Sequence, residues 1–132
     1  MTGWDDAALL RQVDVVVSAQ ARRRQSLWML FLAPDGAPLP VVVPVDDVPD
    51  RPEQLLIDNL CTILGGVLQM DPEASSVVLV LTRPKVAESD PVGAEWAAAI
   101  WAAVRESGVN VRLFCVAAPG RLEVLPALDA AA

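Results

Sequence analysis

The sequence predicts a single-domain α/β sandwich with a central mixed β-sheet and two to three packed helices. The first observation is length, since 132 residues is the size of one typical domain. The second is composition: 54% of the residues are hydrophobic and only 5% are aromatic, so the core is built mainly from Val, Leu, Ile and Ala. The third is the order of segments, which is helix, strand, strand, helix, strand, helix, strand, strand.

The domain divides into an opening helix over residues 5–24, a core over 26–125 and a tail over 126–132 that is expected to fray. In the opening helix, Asp5 lies near the N-terminus and Arg22-Arg23-Arg24 near the C-terminus, which suits the helix dipole. We expect the three arginines to be a solvated helix end. The β-branched segment Val13–Val17 leaves a strand open as an alternative.

Two strands are predicted to form a hairpin after this helix. Ser26–Leu32 is a continuous apolar run, as expected of a strand buried on both faces. A Pro-Asp-Gly turn follows, and Val41–Val45 returns as the second strand. Because proline cannot donate to a β-ladder, Pro38, Pro40 and Pro44 predict that the second strand is short or lies at a sheet edge.

A second helix is predicted from a start at Asp50-Arg51-Pro52-Glu53 to about Met70. Asp50 is expected to cap it, with a proline in the first turn and a glutamate three residues after the cap. Gly65-Gly66 weakens a helix by about 1 kcal/mol per glycine relative to alanine, so we expect a neighbouring element to approach the backbone closely there. The predicted buried stripe consists of Leu55/Leu56, Asn59/Leu60, Ile63/Leu64 and Val67/Leu68.

The second half of the chain is predicted to alternate strands with one more helix. Val77–Leu81 is a fully apolar strand, and residues 83–91 form a polar loop. Asp90 is expected to cap a helix that has Pro91 at its first position and ends at Gly108. One side of this helix carries Trp96, Ile100, Trp101 and Val104. The remaining predicted strands are a central one over Val109–Ala117 and a short edge strand over Leu122–Leu125.

The charge balance disfavours two classes of partner. The net charge is −7 and the pI is near 4.4, so the chain repels phosphate backbones and anionic lipid surfaces, and we expect neither nucleic-acid nor membrane binding. No uncharged run approaches the ~20 residues that a membrane span needs. The acidic N-terminus is not followed by a hydrophobic signal core, so the expected compartment is the cytoplasm.

Catalytic chemistry is restricted because the chain contains no histidine. Ser-His-Asp and Cys-His arrangements are therefore excluded. Lys85 is the only lysine, and Ser89 lies four residues away, but a solvated loop explains this pair better than an activated nucleophile does. Asp46, Asp47 and Asp50 are likewise expected to be solvated or capping residues and not a Ca²⁺ site.

The two cysteines, Cys61 and Cys115, are predicted to be buried thiols that do not form a disulfide. Without histidine they make a poor zinc site, since structural zinc takes four Cys or His ligands. Gly65-Gly66 lies within a predicted helix and therefore lacks the context of a phosphate-binding loop. We expect no cofactor and no enzymatic activity.

One segment carries a resemblance to a known family. Leu81-Thr82-Arg83-Pro84 follows an apolar strand and is followed by the polar loop Lys85–Pro91, a helix from Val92 and the sequence Ser107-Gly108-Val109. This stretch and the order of elements over residues 26–125 resemble the JAB/MPN metalloprotease-like fold, in particular its bacterial RadC-type branch.

The resemblance implies a scaffold that has lost its metal. Leu81 and Arg83 stand where that family keeps two zinc-binding histidines, and the metal-binding aspartate of the family falls near Ala94 or Glu95. Only Glu95 has a ligating side chain, whereas catalytic zinc needs three protein ligands. The resemblance therefore implies a pseudo-enzyme, and a scaffold alone does not imply peptidase activity.

Three functions follow as expectations. The first is a non-catalytic interaction or scaffold domain that forms a homodimer or binds another protein, with Trp96 and Trp101 as candidate interface residues. The second is a sensor of a small anionic ligand in the former active-site cleft, which would be lined by Thr82, Arg83, Ser89 and Glu95. The third is a cryptic hydrolase. A closed apolar plug at positions 81–83 favours the first, and an open polar cleft favours the second.

Overall fold

The computed structural model describes residues 4–71, 73–85 and 91–126. The chain forms the predicted order of elements, and the α/β class is confirmed. The helices are α1 (Asp6–Val16), α2 (Gln54–Met70) and α3 (Pro91–Ser107), with a 3₁₀ turn at Ala21–Arg23. The strands are β1 (Ser26–Leu32), β2 (Pro38–Asp46), β3 (Ser76–Thr82), β4 (Val111–Ala118) and β5 (Arg121–Val124).

The strands form one five-stranded mixed sheet in the order β2-β1-β3-β4-β5. β1 is antiparallel to both β2 and β3, with Ser26 opposite Thr82, and β5 is antiparallel to β4. β3 and β4 are parallel, because α3 connects them as a crossover. The three most apolar strands are the central ones, and β2 and β5 are the edges, as predicted. β2 is longer than Val41–Val45, since an edge strand bonds one neighbour only and tolerates its prolines.

The sheet is covered on both faces. α2 and α3 pack on one face and α1 on the other, so each central strand sends alternate side chains into different layers. In β1, Leu27, Met29 and Phe31 belong to the α2/α3 layer, whereas Leu30 and Leu32 belong to the α1 layer. This two-sided burial explains why β1 and β3 are continuous apolar runs without polar alternation.

The opening helix is shorter than predicted. α1 ends at Val16, and the amide of Val17 donates to the carbonyl of Val13, so the strand alternative for Val13–Val17 is wrong. The arginines do not end this helix. The hydroxyl of Ser18 accepts from the amide of Ala21 at 3.2 Å and starts a separate 3₁₀ turn that holds two of the arginines.

The start and the buried face of α2 also differ from the prediction. The cap residue is Glu53, without a side-chain cap bond, and Asp50 instead accepts from the side-chain amide of Gln25 at 3.0 Å. The buried residues are Ile57, Leu60 and Leu64. Three members of the predicted stripe face outward: Asn59 is exposed, Leu55 is 71% exposed and Ile63 is 48% exposed. Paired apolar residues do not reveal which of the two faces the sheet.

The expected close approach to Gly65-Gly66 is not found among the described residues. The Cγ2 atom of Val109 lies 4.0 Å from where a Cβ on Gly65 would be, which is ordinary contact, and no described atom lies within 4 Å of that point on Gly66. Among the described residues, the prediction of a close backbone approach at this site is therefore wrong.

The boundaries of α3 follow the prediction where they are described. Pro91 is its first residue, and Gly108 follows its end with φ +76°, a conformation that favours glycine. Asp90, the expected cap, lies outside the described residues, as does most of the tail. Trp96, Ile100 and Val104 are buried, and Trp101 is half-buried.

Candidate functional site

The end of β3 is the place where the family resemblance would put a metal site, and an apolar side chain closes it. Leu81 has no exposed surface and packs in the cluster between the sheet and the α2/α3 layer. It lies opposite Leu27 on β1 and Val116 on β4. Position 81 is thus part of the core, because β3 is covered on both faces up to its last residue.

Thr82 is also completely buried, and its hydroxyl is engaged by the main chain. The hydroxyl donates to the carbonyl of Arg24 at 2.7 Å, with the carbonyl of Ser26 at 3.2 Å, and accepts from the amide of Ser26 at 3.0 Å. These bonds join β3 to the start of β1. A side chain used in this way offers no polar atom to a ligand.

Of the other residues of the hypothetical ligand cleft, the structure describes Arg83 and Glu95. The amide of Arg83 donates to the carbonyl of Ala117 at 2.9 Å, and its side chain is half-buried. Glu95 is exposed on α3. Ser89 lies outside the described residues, so its position relative to Arg83 is not described.

The burial of Arg22, in the segment before β1, was not predicted from the sequence. Arg22 is buried, with 7% exposure, and its Nη2 atom lies 2.6 Å from Oδ1 of Asp14. Its Nε atom donates to the carbonyl of Val17 at 3.2 Å, and Nη1 donates to the carbonyls of Ala118 at 3.1 Å and Arg121 at 3.4 Å. Arg22 therefore ties the segment after α1 to the β4–β5 turn, and the expectation of a solvated helix end is wrong for it.

The acidic residues after β2 are engaged separately. Asp46 accepts from the hydroxyl of Ser26 at 2.9 Å, and Asp47 lies 3.4 Å from the guanidinium of Arg24. Among the residues that the structure describes, no group of three or more Cys, Asp, Glu or His side chains is arranged to hold a metal ion.

The two thiols are free, and they lie in different layers. Cys115 is buried in the α1 layer; burial, and to a smaller extent the charge of Asp6, together raise its pKa to about 12. Cys61 is half-buried against the α2/α3 layer, so the prediction of burial is wrong for this cysteine. Partial burial raises its pKa, an effect that Asp58 reinforces and a hydrogen bond with Ser107 opposes. Both are poor nucleophiles at neutral pH, since only the thiolate attacks.

The two tryptophans that were candidate interface residues have different positions. Trp96 has no exposed surface, and its indole N–H donates to the carbonyl of Pro49 at 3.0 Å. Its side chain therefore cannot contact a binding partner while the chain is folded. Trp101 is half-buried and donates to the carbonyl of Leu125 at 3.0 Å. It lines an apolar groove of about 160 Å³ together with Leu125, Pro126 and alanines of α3.

The most prominent apolar surface lies on α2, facing away from the sheet. We define the α2 outer face as Leu55, Asn59, Thr62, Ile63, Gly66 and Met70. Three of its members are large exposed apolar residues: Leu55, Ile63 and Met70, of which Met70 is 86% exposed. A shallow groove of about 530 Å³ runs along Ile63, Gly66 and Met70. Apolar side chains at these spacings fall on one side of a helix, opposite the buried residues.

No protein-family model, curated protein or solved structure matches this chain. Within the described residues, no helix has both the length and the apolar character to cross a membrane. The functional interpretation therefore rests on the geometry of the end of β3 and of the α2 outer face.

Proposed function

We propose that this protein is a non-catalytic interaction domain that self-associates, on a scaffold similar to the JAB/MPN fold. The observation that carries the proposal is the closed end of β3, where Leu81 is buried in the core and the hydroxyl of Thr82 is bonded to main-chain groups. A hydrolase of the resembled kind needs metal ligands and an open coordination position there. Leu81 occupies that space with an apolar side chain.

The nucleophiles of the chain support the same conclusion. Histidine is absent, and the thiols of Cys61 and Cys115 both have raised pKa values. Activation of Ser or Cys by an adjacent imidazole is therefore excluded. Two unpaired thiols also favour a reducing compartment, and we accordingly place the domain in the cytoplasm.

The surface of the helical layer supports an interaction role. Leu55, Ile63 and Met70 are exposed on the same side of α2, and exposed apolar residues grouped on one face are found at protein–protein interaction sites. A partner that covers the α2 outer face removes apolar surface from water, which is the dominant favourable contribution in most protein associations. The anionic-ligand alternative has Arg83 in its favour, but Thr82 is not available to it.

Sedimentation velocity of the full chain from low to high micromolar concentration tests this function. We expect a concentration-dependent increase in mass from monomer to dimer. A strictly monomeric chain that also captures no protein of defined identity would contradict the proposal.

Zinc titration by calorimetry separates the interaction domain from a cryptic hydrolase. We expect no stoichiometric binding heat, with a chelator-treated sample as the reference. Saturable binding of one zinc ion per chain, together with cleavage of a peptide substrate, would show that the chain is an enzyme.

A further inference from the structure

Gly66 is the least explained residue of α2. Glycine weakens a helix relative to alanine, but because it has no Cβ it lets another backbone approach closely. Within the described residues nothing lies within 4 Å of where its Cβ would be. The benefit of glycine at this position is not found inside the described part of the chain.

The shape around Gly66 is a recess between two projections. Ile63 lies three residues before it and Met70 four residues after it, so both lie on the same side of the helix, one turn away in each direction. Ile63 is 48% exposed and Met70 is 86% exposed. The groove of about 530 Å³ is lined by these three residues together with Thr62, Val67 and Asp71, which lies at its end. A projection and a recess on one face are the elements of a self-complementary surface.

If the approaching chain is a second copy, the distribution of charge favours this face. The chain has a net charge of −7, so two copies repel each other over most of their surface. Residues 59–70 contain no charged side chain. This stretch lets two copies meet without bringing carboxylates together.

We propose that α2 of a second copy crosses α2 in the antiparallel direction at Gly66, around a two-fold axis. With the axis between Gly66 and Val67, Ile63 of each chain faces Met70 of the other, and Asp71 faces Thr62 and no carboxylate. Gly66 at the crossing point lets the two backbones approach. This inference rests on the proposed function, because it specifies the surface through which the domain self-associates.

The size of the contact predicts the strength of the dimer. A single pair of crossing helices buries less than the roughly 1,200–2,000 Å² of stable complexes, so the dimer is expected to dissociate in the micromolar range. Because the contact is apolar and the two copies repel, added salt screens the repulsion and strengthens association. An interface held by surface ion pairs responds in the opposite direction.

The alternative surface for a second copy is the β5 edge. Antiparallel pairing of two β5 strands about Leu122 would place Arg121 of one chain opposite Glu123 of the other. Such a dimer weakens with salt and with R121E, and the double variant R121E/E123R restores it. The two modes are therefore distinguishable with variants that lie on different elements.

The test uses Gly66→Leu and Ile63→Asp in sedimentation equilibrium, with circular dichroism to verify the fold. Gly66→Leu adds apolar surface, so the dimer becomes tighter if the two helices do not approach closely at this position. If α2 crosses α2 at Gly66, the added side chain separates the helices and raises Kd about tenfold or more. Ile63→Asp is expected to give a monomer, whereas Val15→Asp, the same change at a site 75% exposed on α1, leaves Kd within about twofold.

Tighter association of Gly66→Leu overturns the crossing at Gly66. A dimer that persists in both α2 variants but responds to R121E overturns it in favour of the β5 edge, and the proposed function remains. A wild-type chain that is monomeric and has no partner overturns both.

Discussion

The hydroxyl of Thr82 donates to the carbonyl of Arg24 at 2.7 Å, and this bond joins the last residue of β3 to the segment that enters β1. The same oxygen accepts from the amide of Ser26 at 3.0 Å, which is the residue opposite Thr82 in the ladder. Buried polar groups of the main chain are costly to leave without partners. The side chain of Thr82, which was a candidate ligand-binding residue, therefore connects two central strands.

Thr82→Val tests this function of the hydroxyl. Valine keeps the shape but leaves main-chain groups of Arg24 and Ser26 without a partner, so the free energy of unfolding is expected to fall by about 1–3 kcal/mol. Denaturant unfolding followed by circular dichroism measures the change. Thr62→Val is the matched control, since its hydroxyl donates to the carbonyl of Asp58 at an exposed position. Because Thr62 lies on the α2 outer face, both variants are measured at a concentration below dimer formation, and a similar loss in Thr62→Val would refute the assigned role of Thr82.

Arg22→Met is expected to destabilise the fold by about 3 kcal/mol. The substitution leaves the carbonyls of Val17 and Ala118 without their donor. Arg23, the next residue, is exposed, and Arg23→Met is expected to change stability by less than about 0.5 kcal/mol. Equal effects of the two substitutions in denaturant unfolding would show that Arg22 makes no special contribution.

Two glycine substitutions are expected to act in opposite directions. Gly66→Ala places a methyl group where nothing lies within 4 Å, so it raises the stability of the monomer by about 1 kcal/mol through helix propensity. Gly108→Ala forces alanine into φ +76°, which lowers stability by about 1–2 kcal/mol. Thermal unfolding at a concentration below dimer formation compares them. A destabilised Gly66→Ala monomer would mean that the helix is strained at this point.

Stability is expected to decrease with pH above the ordinary range of thiols. The pKa of Cys115 rises from 9.0 to about 12 on folding, so between these values the unfolded chain has released a proton that the folded chain retains. The contribution of this group is fully present below pH 9.0 and is lost as the pH rises to about 12, with a slope of at most about 1.4 kcal/mol per pH unit.

Cys115→Ala provides the comparison for this pH dependence. Tyrosine is absent from the chain, which removes the group that usually dominates titration in this range. We expect the loss of stability between pH 9 and 12 to be shallower in the variant than in the wild type. Parallel curves from denaturant unfolding would show that Cys115 is not the titrating group.

The strands were predicted better than the helices, for a physical reason. Ser26–Leu32 and Val77–Leu81 are apolar runs bounded by polar or turn residues, and burial on both faces leaves no choice of face to specify. The predicted and observed bounds of β1 are the same. In α2, by contrast, the apolar residues surround more than one side, and only the packing against the sheet selects Ile57, Leu60 and Leu64 as the buried ones.

The candidate site depended on contacts that sequence spacing does not encode. The partners of Arg22 lie on and after α1 and beside the β4–β5 turn, and Ala118 is 96 positions after Arg22 in the sequence. Thr82 likewise meets groups that are 56 and 58 residues distant. From the sequence alone, a run of arginines or a threonine at a strand end is expected to be solvent-exposed. Only the folded sheet brings these groups to their acceptors.

The prolines of β2 restrict how copies of this domain can be joined. Linear assembly by strand pairing requires each copy to pair through both edge strands of its sheet. Pro38, Pro40 and Pro44 remove amide donors from β2, which leaves β5 as the better side for strand addition. We therefore expect strand addition to favour a closed pair through β5 over linear growth into fibres through β2.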